Sequence, residues 1–136
     1  MAGLLEGHIA AVTGGGSGIG QAICRAYGRE GARVIVLDAN LDGASETVGL
    51  ITAAGGRASA MRHDVTDREA CKSAAAEIAK GGNVSTLVNN AGINRRNPFT
   101  GERAAVTKDW DDILSINLDA VFNVTHAFID QLRAIV

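Results

Sequence analysis

The glycines of one turn near the start of the chain are the residues whose spacing points most directly to chemistry. Gly14, Gly18 and Gly20 stand in the stretch 10–20, which reads A-A-V-T-G-G-G-S-G-I-G. The turn joins an apolar run to an amphipathic pattern, so it would bring backbone N–H groups to a helix N-terminus, where the helix dipole favours an anion. The spacing predicts a seat for a phosphate group. The simpler interpretation is a flexible glycine turn.

A carboxylate follows at the end of the second apolar run. Asp38 comes directly after residues 34–37, and neither Ser17 in the turn nor Ala39 beside the acid is basic. A carboxylate in this place can accept both ribose hydroxyls of an adenosine and repels a 2′-phosphate. This pattern favours NAD over NADP. A solvated strand end or a helix cap is the alternative interpretation of Asp38.

Two further segments follow later strands. Asp64-Val65 comes after the run 57–62, and Asn89-Asn90-Ala91-Gly92 comes after the run 84–88. Two amides followed by two small residues supply polarity without bulk, as a cleft at the carboxyl edge of a sheet requires. Asp64 by itself is an equally good start for a turn before Asp67, a predicted helix N-cap.

Three of these segments and one further motif resemble motifs of the short-chain dehydrogenase/reductase family. They are T-G-x-x-x-G-I-G at 13–20, D-V at 64–65, N-N-A-G at 89–92 and, further along the chain, I-N-L at 116–118. Together with Asp38, the resemblance implies that NAD is the cofactor, and the scattered histidines and cysteines give no reason to expect a metal. It gives Asn89 a mainly structural role. It implies a cofactor-binding set of Gly14, Ser17, Gly18, Ile19, Gly20, Asp38, Asp64, Val65, Asn90, Ala91 and Gly92.

Asn117 is the one catalytic residue that the resemblance assigns within this chain. It lies four positions after Ile113, inside an apolar stripe, so we expect a buried amide that needs a hydrogen-bonding partner. In the family the corresponding asparagine distorts its helix and exposes a backbone carbonyl that holds a water of the proton relay. A core amide bonded to neighbouring backbone is the alternative.

Strands and helices alternate in the pattern of hydrophobicity. We expect strands at 8–13, 34–37, 57–62 and 84–88, with apolar helical stripes between them. A last helix is expected from Trp110 to the end, with Thr107 as its cap and Asp109, Asp111 and Asp112 in its first turn. The resemblance implies an α/β fold, a Rossmann-type doubly wound parallel sheet whose strands here have the order 3-2-1-4 and which stops before strand 5. Residues 1–136 are then one NAD-binding domain.

The family also uses a serine, and a tyrosine followed four positions later by a lysine. Tyr27 is the only tyrosine, and no Tyr-x-x-x-Lys occurs among the 136 residues. We therefore expect the chain by itself to bind the cofactor without turnover. We also expect it to be a fragment of a longer protein or a part that needs a partner.

Composition narrows the classes of partner. The formal net charge of −2 and the isoelectric point near 5.9 disfavour a nucleic acid or an anionic membrane. Cys24 and Cys71 lie apart without metal-ligand spacing, so we expect neither zinc nor a disulfide. No leader sequence or membrane span is expected, and a cytoplasmic location is the default.

The resemblance implies hydride transfer between nicotinamide and a secondary alcohol or ketone, and a homo-oligomer, tetramer or dimer, at full length. Arg95 and Arg96, in a long polar connection at 93–106, are similar to a pair in sugar-acid dehydrogenases of the family. Two solvated charges are the alternative, and 3-oxoacyl substrates stay open. A non-catalytic NAD sensor and an S-adenosylmethionine-dependent methyltransferase are the rival functions.

Overall fold

Strands and helices alternate through residues 3–135, the part of the chain that the computed structural model describes. The expected strand–helix alternation is confirmed. The elements are β1 (Ile9–Thr13), α1 (Gly18–Arg29), β2 (Arg33–Asp38), α2 (Leu41–Ala53), β3 (Arg57–Arg62), α3 (Arg68–Ala79), β4 (Thr86–Val88), α4 (Arg103–Leu114), a π-helical segment (Ser115–Asp119) and α5 (Ala120–Arg133).

The four strands form one parallel sheet in the order β3-β2-β1-β4, as expected. Ala11 of β1 pairs with Ile35 of β2 on one side and with Leu87 of β4 on the other. Because the strands are parallel, their carboxyl ends meet at one edge of the sheet, where the residues after each strand come together. The segments that contain Gly14, Asp38, Asp64 and Asn90 each follow a strand, so the topology brings them together at this edge.

Helices cover both faces of the sheet, which explains the near-continuous apolar character of β1 and β2. Successive side chains of a strand point to opposite faces. One face, with Ala11 and Ile35, packs in a core with residues of α3 and α5 that include Cys71 and Phe128. The other face packs with α1 and α2, and this second core contains Cys24. The two cysteines thus lie on opposite sides of the sheet.

Side chains cap three of the helices at their N-termini. Asn40 accepts from the N–H of Gly43 at the start of α2, and Asp67 accepts from that of Ala70 at the start of α3. The predicted capping role of Asp67 is therefore confirmed. Helix α1 differs, because the side chain of its N-cap residue, Ser17, accepts no such bond.

The prediction for the last helix was wrong about its start. Glu102, not Thr107, is the N-cap, and its carboxylate accepts from the N–H groups of Ala104 and Ala105 at 3.1 and 2.8 Å. Thr107 and the three aspartates at 109, 111 and 112 lie inside α4. A two-oxygen carboxylate at 102 satisfies two free N–H groups at once, which outweighs the aspartates' preference for a first turn.

Large apolar side chains stay exposed on the elements after β4. They include Trp110, which is 58% exposed, Leu118, which is 63% exposed, and Phe122, which is 56% exposed. Residues 3–135 contain no helix with both the length and the apolarity that a membrane crossing requires.

Candidate functional site

A cleft of about 450 Å³ opens at the carboxyl edge of the sheet. It lies where the segments after β1, β2, β3 and β4 meet. Its lining consists of Gly14, Ser17, Gly18, Ile19, Asp38, Ala39, His63, Asp64, Val65, Asn90, Ala91, Gly92, Ile93 and Ile116.

The glycine turn forms one wall of the cleft, and its backbone needs glycine at defined places. Gly14 and Gly18 have φ angles of 64° and 52°, a left-handed region that side chains rarely adopt. Gly20 faces the turn from α1, and a Cβ there would overlap the carbonyl oxygen of Gly14. The turn therefore packs tightly against its own helix and presents backbone to the cleft.

The start of α1 offers unused hydrogen-bond donors. The first helical bond runs from the N–H of Gln21 to the carbonyl of Ser17 at 3.1 Å. The N–H groups of residues 18–20 precede it, so helix geometry leaves them without an intrahelical acceptor. Because Ser17 provides no side-chain cap, these donors and the positive end of the helix dipole suit an anion in the cleft.

Two side chains brace the turn from beneath. The hydroxyl of Thr47 on α2 donates to the carbonyl of Gly15 at 2.8 Å and accepts from Nε2 of Gln21 at 3.1 Å. Thr47 is fully buried. Sequence reasoning missed both residues, because nothing local distinguishes them from other helical polar residues.

Asp38 holds the turn as well as facing the cleft. Its Oδ2 accepts from the N–H of Gly16 at 2.9 Å, and its Oδ1 accepts from the N–H of Asn40 at 2.9 Å. These bonds fix the orientation of a carboxylate that stays partly exposed. An anionic group is thus placed beside the phosphate seat, at the end of the neighbouring strand.

Asp64 and Val65 line the cleft after β3. Oδ1 of Asp64 accepts from both the N–H and the hydroxyl of Thr66, at 2.9 and 2.6 Å, and these bonds lower the pKa of the carboxyl. Asp64 therefore starts a turn, as the alternative interpretation expected, and also lines the cleft. Val65 is 8% exposed, so only a small part of its surface faces the cleft.

His63 is a cleft residue that sequence reasoning did not select. Burial lowers the pKa of its imidazole, and its Nε2 lies 3.3 Å from Sγ of Cys71. Burial also raises the pKa of the Cys71 thiol to about 11. The Cys71 thiol is therefore neutral at pH 7 and packs as a small apolar side chain rather than acting as a nucleophile.

Thr13 joins the glycine turn to the segment after β4. Its hydroxyl accepts from the N–H groups of Asn90 and Ala91, both at 3.0 Å. Nδ2 of Asn90 donates to the carbonyl of Gly14 at 3.1 Å. Asn89 turns the other way and donates to the hydroxyl of Thr125 on α5 at 3.0 Å. The two amides thus tie this segment to β1 and to α5.

Asn117 lies behind the cleft and is exposed, so the expectation of a buried amide was wrong. It falls in the π-helical segment Ser115–Asp119, whose wider turn shifts the phase of the apolar stripe that starts before it. Its amide nevertheless has partners, because it both donates to and accepts from the backbone of Ile93. The expected distortion of the helix is present at this residue.

The structure gathers ten of the twelve predicted site residues in the cleft lining. Of the other two, Gly20 lies under the turn and Asn117 contacts the cleft through Ile93. Four lining residues were not predicted. All four, Ala39, His63, Ile93 and Ile116, directly adjoin predicted residues, so their neighbours in sequence were the available signal.

Arg95 and Arg96 differ in their surroundings. The guanidinium of Arg95 lies 4.0 Å from Asp109 and 3.7 Å from Asp112, and Asn97 donates to Asp109 at 2.7 Å. Arg96 is exposed, and residues 3–135 provide it with no ion pair or side-chain hydrogen bond. The two side chains therefore do not form one site, and Arg95 already has anionic neighbours on α4.

Known proteins share this sequence over most of its length. The chain is 45% identical over 129 residues to a galactitol 2-dehydrogenase (L-tagatose-forming) of Cereibacter sphaeroides, covering 91% of this chain and 47% of that protein. It is 38% identical over 124 residues to a gluconate 5-dehydrogenase of Gluconobacter oxydans, covering 90% and 47%. The chain thus spans about half of the length of these relatives.

Solved structures share the fold. A short-chain dehydrogenase/reductase from Burkholderia xenovorans, described as putative, matches with a TM-score of 0.88 at 33% identity, over 98% of this chain and 54% of that one. A metagenomic short-chain oxidoreductase in complex with NADP matches with a TM-score of 0.86 at 33% identity, over 96% and 58%. The sequence model of the short chain dehydrogenase family matches residues 8–135. The chain belongs to the short-chain dehydrogenase family.

Proposed function

We propose that the chain is the cofactor-binding part of an NAD-dependent oxidoreductase that acts on secondary alcohols and ketones. The observation that carries this proposal is the pairing of Asp38 with the glycine turn, through the 2.9 Å bond to Gly16, at the mouth of one cleft. Membership in the family argues against the S-adenosylmethionine-dependent methyltransferase alternative.

The turn fits a pyrophosphate. The N–H groups of residues 18–20 have no intrahelical acceptor and no side-chain cap, and Gly20 leaves no Cβ between the turn and its helix. An anion with several acceptor oxygens satisfies these donors and gains from the helix dipole. The exposed Ile19, with 76% of its surface accessible, would be covered by the bound dinucleotide.

Asp38 is proposed to select NAD. Its carboxylate is fixed by two backbone donors, and the residues on either side of the seat, Ser17 and Ala39, carry no positive charge. Ribose hydroxyls can donate to this carboxylate, whereas a 2′-phosphate would meet like charge. One structural neighbour is in complex with NADP, so the preference of this chain for NAD over NADP is tested directly below.

The remaining lining residues are proposed to divide between the two ends of the dinucleotide. Asp64 and Val65 would hold the adenine, and Asn90, Ala91 and Gly92 would contact the nicotinamide side. The bound cofactor would supply or take up a hydride at C4 of its nicotinamide. Asn117 is proposed to support proton movement there, while the 136 residues contain no Tyr-x-x-x-Lys to complete the catalytic set.

The substrate proposed is a polyol, a sugar acid or a 3-oxoacyl compound. The relatives' names include a galactitol and a gluconate dehydrogenase. Because Arg95 is occupied by Asp109 and Asp112, a substrate carboxylate would pair with Arg96. The exposed Trp110, Leu118 and Phe122 support a homo-oligomer, and we propose a cytoplasmic location.

Calorimetric titration with NAD⁺ and NADP⁺ tests the proposal. NAD⁺ should bind at least about tenfold more tightly, and Asp38→Asn should narrow that difference. Asp42→Asn is the matched control, because it removes an exposed carboxylate from the same region, in the first turn of α2. Tighter binding of NADP⁺, or of neither dinucleotide, would contradict the proposal. A longer form of the protein that binds NAD⁺, lacks Tyr-x-x-x-Lys and turns over no alcohol would favour the non-catalytic sensor.

A further inference from the structure

We propose that Asn123 of α5, which lies outside the cleft, is a positioning residue for its adenosine side. The inference rests on the proposed dinucleotide function. Asn123 is only 7% exposed and does not line the cleft. Its side chain instead reaches the segment between β3 and α3, which contains three of the lining residues, His63, Asp64 and Val65.

The amide of Asn123 bonds both this segment and the start of α3. Nδ2 donates to the carbonyl oxygen of Val65 at 3.2 Å, and Oδ1 accepts from Nε of Arg68 at 2.9 Å. A carbonyl can only accept and an arginine Nε can only donate, so the orientation of the amide is fixed. Asn123 thus holds the last cleft residue of the segment and the first residue of α3 at a set distance from α5.

Val65 depends on α5 for its placement. Its side chain belongs to the same apolar core as Val124 and Phe128 of α5. Its carbonyl has one other neighbour, Sγ of Cys71 at 3.8 Å, and a thiol is a weak donor. The bond from Asn123 is therefore the main hydrogen bond on this carbonyl among the described residues. Loss of that bond would let the backbone of Val65 move, and Val65 forms the surface against which an adenine is proposed to lie.

Gln131 offers a matched comparison on the same helix. Its Nε2 donates to the carbonyl of Ala75 at 2.9 Å, and its Oε1 accepts from the N–H of Val84 at 2.9 Å. It is 9% exposed, close to the value for Asn123, and none of these three residues lines the cleft. Gln131 therefore joins the same helix to α3 by the same amide-to-carbonyl hydrogen bond at a distance from the site, while its oxygen accepts from a backbone N–H instead of a guanidinium.

The experiment compares Asn123→Asp with Gln131→Glu. Each change removes the donor to a carbonyl and keeps an acceptor for the second partner. Calorimetry well below the melting temperature would measure binding of ADP-ribose, which carries the adenosine and pyrophosphate but no nicotinamide. We expect Asn123→Asp to weaken ADP-ribose binding about fivefold, as one neutral hydrogen bond predicts, and Gln131→Glu to leave it unchanged. Urea denaturation of both variants would give their loss of stability.

Asn123→Leu and Gln131→Met form a second, uncharged pair, for use if the carboxylate variants do not fold. Equal ADP-ribose affinity in the Asn123 variant and the wild type would overturn the inference, and so would equal weakening in the Asn123 and Gln131 variants, since that would reflect general loosening of α5. If the wild-type protein binds neither NAD⁺ nor ADP-ribose, the proposed function itself fails, and the inference with it.

Discussion

The side chain of Asn117 pairs with the backbone of Ile93 in both directions: Nδ2 donates to the carbonyl at 2.9 Å, and Oδ1 accepts from the N–H at 2.8 Å. Ile93 lines the cleft directly after Gly92. An exposed residue on the π-helical segment thus sets the position of the backbone at the proposed nicotinamide end.

Asn117→Leu should weaken NADH binding several-fold, because both hydrogen bonds to Ile93 are lost and the backbone there is freed to move. A net value of about 1 kcal/mol for each bond sets an upper limit of roughly thirtyfold. Fluorescence of the dihydronicotinamide measures the affinity. Asn83→Leu is the control, since Asn83 is also exposed and lies away from the cleft. Equal affinities in the two variants would argue against a positioning effect of Asn117.

Thr13→Val should lower the free energy of unfolding by about 2 kcal/mol, because it leaves two N–H groups, those of Asn90 and Ala91, without their acceptor in a partly buried place. Urea denaturation measures this change. Thr13→Ser keeps the hydroxyl and should lose less. Thr107→Val, at an exposed position of α4, is the control for the chemical change itself. If Thr13→Val were as stable as the wild type, the hydrogen bonds of the Thr13 hydroxyl to Asn90 and Ala91 would make no net contribution to stability.

Gly20→Ala should abolish measurable NAD⁺ binding, because the added methyl group would overlap the carbonyl oxygen of Gly14 and push the turn away from α1. Calorimetry provides the test. Gly49→Ala is the matched control, as a Cβ at Gly49 meets nothing within 4 Å in α2. That control should gain about 0.5 to 1 kcal/mol of stability with unchanged affinity. NAD⁺ binding by Gly20→Ala at wild-type strength would show that the turn tolerates displacement.

The two buried thiols should make stability fall in alkaline solution. Burial raises the pKa of Cys24 from 9.0 to about 12 and that of Cys71 from 9.0 to about 11. Above pH 9 the thiols of the unfolded chain ionise, whereas those of the folded chain keep their protons. Ionisation therefore lowers the free energy of the unfolded state alone, and the free energy of unfolding falls as the pH rises. Urea midpoints between pH 8 and pH 10 should therefore decline.

Removal of the thiols isolates this effect from other groups that titrate in base. A Cys24→Ala/Cys71→Ala double variant should show a shallower decline than the wild type over the same pH range. An identical slope in both proteins would mean that the thiols do not cause the loss. The same burial should leave both cysteines unreactive toward Ellman's reagent at pH 8 until the protein is unfolded.

The sequence determined the features that arise from neighbouring residues. The glycine turn, Asp38 at the end of β2 and the cap at Asp67 follow from local spacing, because strand periodicity, turn chemistry and capping act over a few positions. Ten of the twelve predicted residues line the cleft for this reason, since each follows a strand and parallel strands end at one edge. The order of the strands came from the resemblance to the family.

Only the tertiary structure decided which distant groups are hydrogen-bonded to one another. Asn117 meets Ile93 across 24 positions, Asn123 meets Val65 across 58, and Asn90 meets Thr13 across 77. The exposure of Asn117 depends on a π-helical turn, and the start of α4 depends on Glu102. Local patterns are silent on these points, because a polar side chain in a helix can meet solvent, core or another segment, and packing of the whole chain selects among them.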